Sequence, residues 1–174
     1  SQVGIKTALM TTVAYGVDDN ITAQVAHMTT ASAPLLQKRL RQFKRQGVEW
    51  VVLETTSHAL AQHRVWGIPY EIAVMTNVTH EHLDYHGTFE RYLAAKLRLF
   101  GLAAQRGRRF GVVNADDPNA KAFTVAIPRS VPYGVTAGHL RAADLMLESD
   151  GCPYTATIDS EGYHNHLRIP AEFH

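Results

Sequence analysis

Two apolar runs that each stop on polar side chains constrain this chain more than anything else in it. Trp50 to Leu53 is followed at once by Glu54, and Ile72 to Met75 by Thr76 and Asn77. Short apolar runs bounded by polar residues read as buried strands of a parallel sheet. In such a sheet ligands gather beyond the carboxyl ends of the strands, so the two endings, and the histidine-rich loop after the second, are expected to face a single site. A helix is expected from Thr88 to Phe100, with Tyr92, Leu93, Leu97 and Phe100 on one face and Lys96 in its last turns.

The flanking sequence continues the alternation. Leu9 to Tyr15 reads as a strand, followed by a turn at Gly16 to Asn20 and a short polar strand through Val25. Pro34 suits the first turn of a helix in which Leu35, Leu36, Leu40 and Phe43 recur at helical spacing, with Ser32 as its N-cap and an end near Gly47. A short helix through Leu60, a strand at Phe110 to Val113, a helix near Asn119 to Ala126 and a strand near Val131 complete a βαβ rhythm. The expected fold is therefore α/β, a mostly parallel sheet flanked by helices. After Leu145 the pattern changes. Leu145 to Glu148, Tyr154 to Ile158 and Tyr163 to Ile169 are short and alternating, separated by Asp150-Gly151 and Glu161-Gly162, and read as a small antiparallel meander that stops at Phe173-His174 without a finishing helix. The 174 residues are expected to form one domain.

A formal net charge of +1 gives no electrostatic case for nucleic acid or an anionic membrane, and neither a long apolar segment nor a signal-peptide pattern occurs. Cys152 is the single cysteine, which excludes an internal disulfide framework and a CxxC metal site and fits a reducing cytoplasm.

Several side chains carry chemistry. Glu54, ending an apolar strand, is costly to desolvate as an anion unless a cation or donor meets it, so it reads as a Mg²⁺ ligand or as a carboxylate bonded to a helix N-terminus. His80, His82, Asp84 and His86 form the most ligand-rich segment. It nearly spells the HxHxDH of metallo-β-lactamase-type dinuclear hydrolases, but Tyr85 stands between Asp84 and His86 and would misplace shared ligands. Each histidine alone reads first as a surface or capping residue, and the four as a cluster read as functional. Lys96 reads as a site amine or as a helix-end lysine meeting the dipole and solvent. Asn114-Ala115-Asp116-Asp117-Pro118 either approaches a nucleotide's ribose or base or forms an Asx turn capping the next helix. Thr29 and Thr30 could donate hydroxyls to an anion or cap a helix, and Arg64 suits a clamp on a carboxylate or phosphate.

These residues fall in strings that resemble a known family. Glu54-Thr55-Thr56-Ser57-His58-Ala59-Leu60, Gln62-His63-Arg64-Val65, Thr76-Asn77-Val78, His82-Leu83-Asp84-Tyr85-His86-Gly87, Ala94-Ala95-Lys96 and Leu99-Phe100 look like the central, ATP-binding domain of the Mur ligases. The MurE-type UDP-N-acetylmuramoyl-tripeptide synthetases match best, with their E-V-S-S-H-A-L, Q-x-R-V, F-T-N-L, D-H-L-D-Y-H-G and A-A-K-x-x-L-F. The resemblance implies a bacterial ligase of peptidoglycan precursor synthesis that uses ATP and Mg²⁺. Such an enzyme turns the carboxylate of a UDP-MurNAc-dipeptide into an acyl phosphate, which an amino acid's amine then attacks. It further implies Glu54 and His82 as Mg²⁺ ligands and Lys96 as a carbamylated lysine serving a second Mg²⁺. Thr29, Thr30, Thr56, Gln62 and Arg64 would hold the UDP-MurNAc-peptide, and Asn77, Asn114 and Asp117 would lie towards the nucleotide.

The departures are specific. No GxxxxGK[ST] occurs, and Gly4-Ile5-Lys6-Thr7 cannot stand in, because a strand follows at once. In the family the phosphate loop lies just upstream, and a C-terminal domain that selects the amino acid lies downstream. The chain is thus expected to be part of such a central domain, inactive alone and self-associating through an exposed apolar edge. Met28 and Ala31 stand where the family usually has Asn and Pro, Thr55-Thr56 where it has Val-Ser, and Glu81 where it has Asp. Two other readings remain: a non-catalytic paralogue that keeps the fold as a binding module, and a dinuclear metallohydrolase built on His80, His82, Asp84 and His86.

Overall fold

Strand and helix alternate as expected, and the strands are shared between two sheets. The computed structural model describes residues 4–23, 29–79, 81–105, 108–146 and 151–167; Val25, Glu148, Asp150, Ile169, Phe173 and His174, named above as element ends or turns, lie outside them. The chain divides into two compact units, Ser1–Ile68 with His82–Leu99, and Pro69–Glu81 with Phe100–His174.

The first unit holds β1 (Thr7–Met10), β2 (Ala14–Val17), β3 (Asn20–Ala23), α1 (Ala33–Arg45), β4 (Trp50–Leu53), α2 (Ser57–Ala61), α3 (Leu83–His86) and most of α4 (Phe89–Gln105). Its sheet runs β3-β2-β1-β4, with β1 antiparallel to β2 and parallel to β4. Leu9 to Tyr15 is therefore not one strand. The Thr11 hydroxyl accepts from the backbone N–H of Val13 and Ala14, at 3.3 and 3.1 Å, and the Thr11 N–H donates to the Ala14 carbonyl at 2.8 Å. A β-branched residue that suits a strand here uses its hydroxyl to build a turn instead.

In α1 the positions four and seven apart behave as their spacing requires: Leu36 and Phe43 are buried and Leu40 is half-buried. Leu35, one step round the helix, is exposed. Pro34 occupies the first turn, while Ser32 precedes the helix in an extended conformation without a side-chain cap. Helix α4 runs beyond Phe100 to Gln105, which puts Lys96 in its interior and removes the helix-end reading of that lysine.

The second unit holds β5 (Ile72–Met75), β6 (Phe110–Asn114), α5 (Ala120–Val125), β7 (Arg129–Gly134), β8 (Leu140–Ala143), β9 (Cys152–Ile158) and β10 (Glu161–Leu167). Its sheet runs β10-β9-β8-β7-β6-β5, parallel from β5 to β8 and antiparallel beyond. The expected class, α/β with a mostly parallel sheet and antiparallel strands near the C-terminus, is what forms. Within the antiparallel part the strand lies at Leu140–Ala143, and Leu145 and Met146 are not in a strand. The β9–β10 turn is Asp159-Ser160, at φ 49° and 72°, and Glu161-Gly162 belongs to β10. Two successive left-handed residues match the twist of the flanking strands, and Asp and Ser tolerate them because their short polar side chains bond locally. The core of this unit sets Phe100 of α4 against Phe123 of α5, ring centroids 5.0 Å apart. Gly111 permits that approach, since a Cβ there would lie 2.9 Å from both Phe100 and Ile127.

The two strands expected to be buried are each at the end of their sheet, and one face of each is open: Val52 is 57% exposed and Val74 52%. The other two end strands, β3 and β10, carry Asn, Thr, Glu and His. Beta4 and β5 have no lysine, proline or other charge to discourage a further strand. Among the described residues no helix is long and apolar enough to cross a membrane.

Candidate functional site

The carboxyl end of β4 and the turn after β1 meet in the first unit. The Thr12 backbone N–H donates to the Glu54 carboxylate at 2.7 Å, and the Thr12 hydroxyl lies 3.0 Å from both carboxylate oxygens and 3.0 Å from the Thr29 hydroxyl. Glu54 is exposed, so burial is not what requires its partners, and the donor is a turn N–H rather than a helix N-terminus. Thr30, fully buried, donates its hydroxyl to the Glu54 carbonyl and accepts from the Thr56 N–H, both at 3.1 Å. Thr56 caps α2 by accepting from the Ala59 N–H at 3.2 Å. The two threonines thus fasten the segment before α1 to the end of β4.

Arg64 extends the same group. Its Nη1 donates to the Thr30 carbonyl at 3.0 Å and its Nε to Gln62 Oε1 at 2.7 Å, and the Gln62 amide donates to the Tyr85 hydroxyl at 3.1 Å. The histidine-rich segment is helical at its end rather than a loop throughout: His82 takes a left-handed conformation, φ 57°, immediately before α3. His58 lies among three rings of that turn, with centroids 4.8 Å from His82, 4.2 Å from Tyr85 and 5.4 Å from His86. His86 is buried and bonded at 3.0 Å through Nε2 to the Ser57 hydroxyl. Tyr92 of α4 closes the row, 6.2 Å from the His82 ring and 4.9 Å below the Lys96 ammonium.

A single run of contacts therefore joins Glu54, Thr29, Thr30, Thr56, Arg64, Gln62, His82 and Lys96 within one unit. Among the described residues no three His, Cys, Asp or Glu side chains could hold a metal by themselves. His80 and Met28 lie outside the described residues. With His86 engaged by Ser57, the four-ligand hydrolase arrangement finds no support in the described residues.

Asn77, Asn114 and Asp117 belong to the second unit. Asn114 accepts from the Asp116 N–H at 3.0 Å and donates to the Thr76 carbonyl at 2.8 Å, an Asx turn that, unlike the one anticipated, does not cap the next helix, since α5 begins after Asn119 without a side-chain cap. Asp117, buried, takes the Val78 N–H at 2.6 Å on one oxygen and the Asn119 N–H at 2.7 Å on the other. Both groups organise the ends of β5 and β6. Asp116 binds the Val135 N–H at 2.6 Å, the N–H groups of Thr136 and Ala137, and the Thr136 hydroxyl. These bonds, the Thr136 hydroxyl first, hold its carboxyl below the usual carboxylate range.

The sequence assigns no site role to Thr12, Ser57, His58 or Tyr85. Tyr85 and His58 lie inside the family strings, but nothing local marks Thr12 as the partner of a residue so distant in the chain.

Burial, followed by the neighbouring His82, lowers the pKa of His58, with Asp84 opposing; burial, His58 and His82 lower that of His86. The folded state therefore binds fewer protons than the unfolded one as pH falls below the ordinary imidazole value of about 6.5, and stability is lost on acidification through that region. Asp116 adds nothing there, because a depressed carboxyl pKa costs stability only below about pH 4. Thermal melts should show a lower Tm at pH 5.5 than at 7.5, and a smaller decline in His58→Phe. Equal declines in the two proteins would exclude His58 as a source.

The family description Mur ligase middle domain matches residues 2–174. The chain belongs to the Mur ligase family. It is 36% identical over 184 aligned positions to a UDP-N-acetylmuramyl-tripeptide synthetase of Roseiflexus sp. (strain RS-1), covering 98% of this chain and 36% of that protein. It is 39% identical to a UDP-N-acetylmuramoyl-L-alanyl-D-glutamate--2,6-diaminopimelate ligase of Geobacillus kaustophilus (strain HTA426), covering 84% of the chain and 30% of the relative. A solved structure of a UDP-N-acetylmuramoyl-L-alanyl-D-glutamate--2,6-diaminopimelate ligase superposes with a TM-score of 0.78 at 31% identity, over 94% of this chain and 34% of that one. The chain thus spans about a third of the length of these Mur ligases.

Proposed function

We propose that this chain is the middle domain of an ATP-dependent ligase that joins an amino acid to a UDP-MurNAc-dipeptide in the bacterial cytoplasm. The observation that carries the reading is the unbroken run of contacts from Glu54 through Arg64 and Tyr85 to His82 and Lys96. It gathers a carboxylate, an imidazole, an amine and an arginine from four separate segments. In the reaction the substrate carboxylate attacks the γ-phosphorus of ATP and ADP departs. The amine of the incoming amino acid then attacks the acyl carbon, phosphate leaves, and the amine proton passes to solvent or a base.

Arg64 holds the anionic part of the UDP-MurNAc-peptide, with Gln62 fixing its guanidinium, Thr29 offering a hydroxyl, and Thr30 and Thr56 holding the backbone of the site in place through their own bonds. Glu54, His82 and Lys96 form the side where negative charge gathers. Their donor set suits Mg²⁺, which takes carboxylate oxygens together with substrate phosphates; Lys96 contributes an oxygen ligand only as its carbamate, and Mg²⁺ would neutralise charge on the transferring phosphoryl group. Asn77, Asn114 and Asp117 shape the loops on the nucleotide side. No GxxxxGK[ST] occurs in the 174 residues, so the phosphates of ATP are left to the remainder of the protein, and the chain alone is expected to be inactive. Its open β4 and β5 edges would then self-associate, which sedimentation at several concentrations reads directly.

The test is phosphate release by the full-length protein with ATP, Mg²⁺, a UDP-MurNAc-dipeptide and a panel of amino acids. Release that needs all four supports the reading; a folded full-length protein that releases none with any amino acid leaves the binding-module reading. Arg64→Ala should raise KM for the UDP-linked substrate about a hundredfold with KM for ATP within twofold, and Arg64→Lys should recover little, because lysine cannot span two acceptors.

A further inference from the structure

His82 has an unusual problem of support. A histidine that serves a metal ordinarily has its second ring nitrogen held by a carboxylate or carbonyl, which fixes the plane of the ring. His82 is exposed, makes no side-chain cap, and has no side-chain hydrogen bond among the described residues. What meets its ring is packing: His58 in a T-shaped arrangement at 4.8 Å and 81°, and Tyr92 at 6.2 Å and 67°. His58 is itself fixed on two sides. It stands in the first turn of α2, whose start is capped by Thr56, and next to it Ser57 bonds the buried His86. Its ring centroid also lies 4.2 Å from that of Tyr85, whose hydroxyl is bonded by Gln62. The first turn of α2 therefore grips both ends of α3.

We propose that His58 is a positioning residue: its ring, packed against both Tyr85 and His82, sets the orientation of the His82 imidazole. The contact is one of ring edge and face, so it needs a flat side chain at position 58 and not a charge. Ring quadrupoles favour edge-to-face over sandwich geometry, so such a pair carries a preference for orientation that burial of area alone does not. In its catalytic consequence the inference rests on the ligase reading; in its structural part it does not.

The experiment uses the full-length protein with ¹³C-labelled histidine, comparing wild type with His58→Phe, His58→Leu and His58→Ala. In wild type and His58→Phe the His82 ring signals should sit at a ring-current-shifted position without any ligand. In His58→Leu and His58→Ala they should move towards the free-histidine position. Turnover should follow the same order: kcat within threefold of wild type for Phe, and down ten- to a hundredfold for Leu and Ala. The Mg²⁺ concentration for half-maximal rate should rise about tenfold in the last two, with KM for the UDP-linked substrate within twofold. Leu fills the volume, so it decides the matter should Ala unfold. Unmoved His82 signals in Leu overturn the proposal, as does a uniform fall in all three variants. A wild type that shows the shifted signals but never ligates would overturn the ligase reading and leave the positioning role standing.

Discussion

Full-length protein carrying Lys96→Arg is expected to lose ligation about a thousandfold, equivalent to about 4 kcal/mol of transition-state stabilisation. Lys96 is half-buried in the interior of α4, where no helix terminus gives it an electrostatic purpose, and its Nζ stands over the Tyr92 face at 4.9 Å. That cation–π contact, worth about 0.5 to 2 kcal/mol, ties the amine to the same ring that His82 packs against. Arginine would keep both the charge and the stacking. It cannot become a carbamate, in which the neutral amine adds to CO₂, a nitrogen–carbon bond forms and a proton goes to solvent, leaving an anionic oxygen pair. A variant within tenfold of wild type would show that the cation alone suffices. A ¹³C signal from labelled CO₂, present in wild type and absent from Lys96→Arg, would give the same answer without turnover.

Tyr92→Ala should lower the unfolding free energy by about 3 to 5 kcal/mol, the range for removing a large buried ring. Tyr92 is 1% exposed and its ring touches His82, His86, Phe89 and the Lys96 ammonium, so the lost volume sits under the site and not at its margin. Tyr92→Phe keeps the ring and should stay within about 1.5 kcal/mol. Denaturant titration of the chain by tryptophan fluorescence measures both. Equal midpoints for Ala and wild type would mean that the ring does not support the fold.

The elements legible in the sequence are those with a strong local period. Trp50–Leu53, Ile72–Met75 and the α1 stripe of Leu36, Leu40 and Phe43 fall where their spacing puts them. Exposure was not legible, because Val52 and Val74 have the same side chain whether or not another layer covers them. The end of α4 was hidden by Gly101, which costs a helix about 1 kcal/mol but is outweighed by a turn that buries Ala103. At Asp159-Ser160 the more familiar turn residue, Gly162, lies two positions too late. For the site, the resemblance supplied the residues and the fold supplied their partners. Thr12 with Glu54, and Ser57 with His86, are pairings that only tertiary structure creates.

The left-handed backbone of His82 decides how that position can be interrogated. At φ 57° the β-carbon of His82 already costs about 1 to 2 kcal/mol, and His82→Ala leaves that cost in place while it removes the imidazole. Asparagine and glycine accept this geometry far more readily. His82→Asn relieves part of that strain as it removes the ring, so a difference between it and His82→Ala measures what the main chain, rather than the imidazole, contributes.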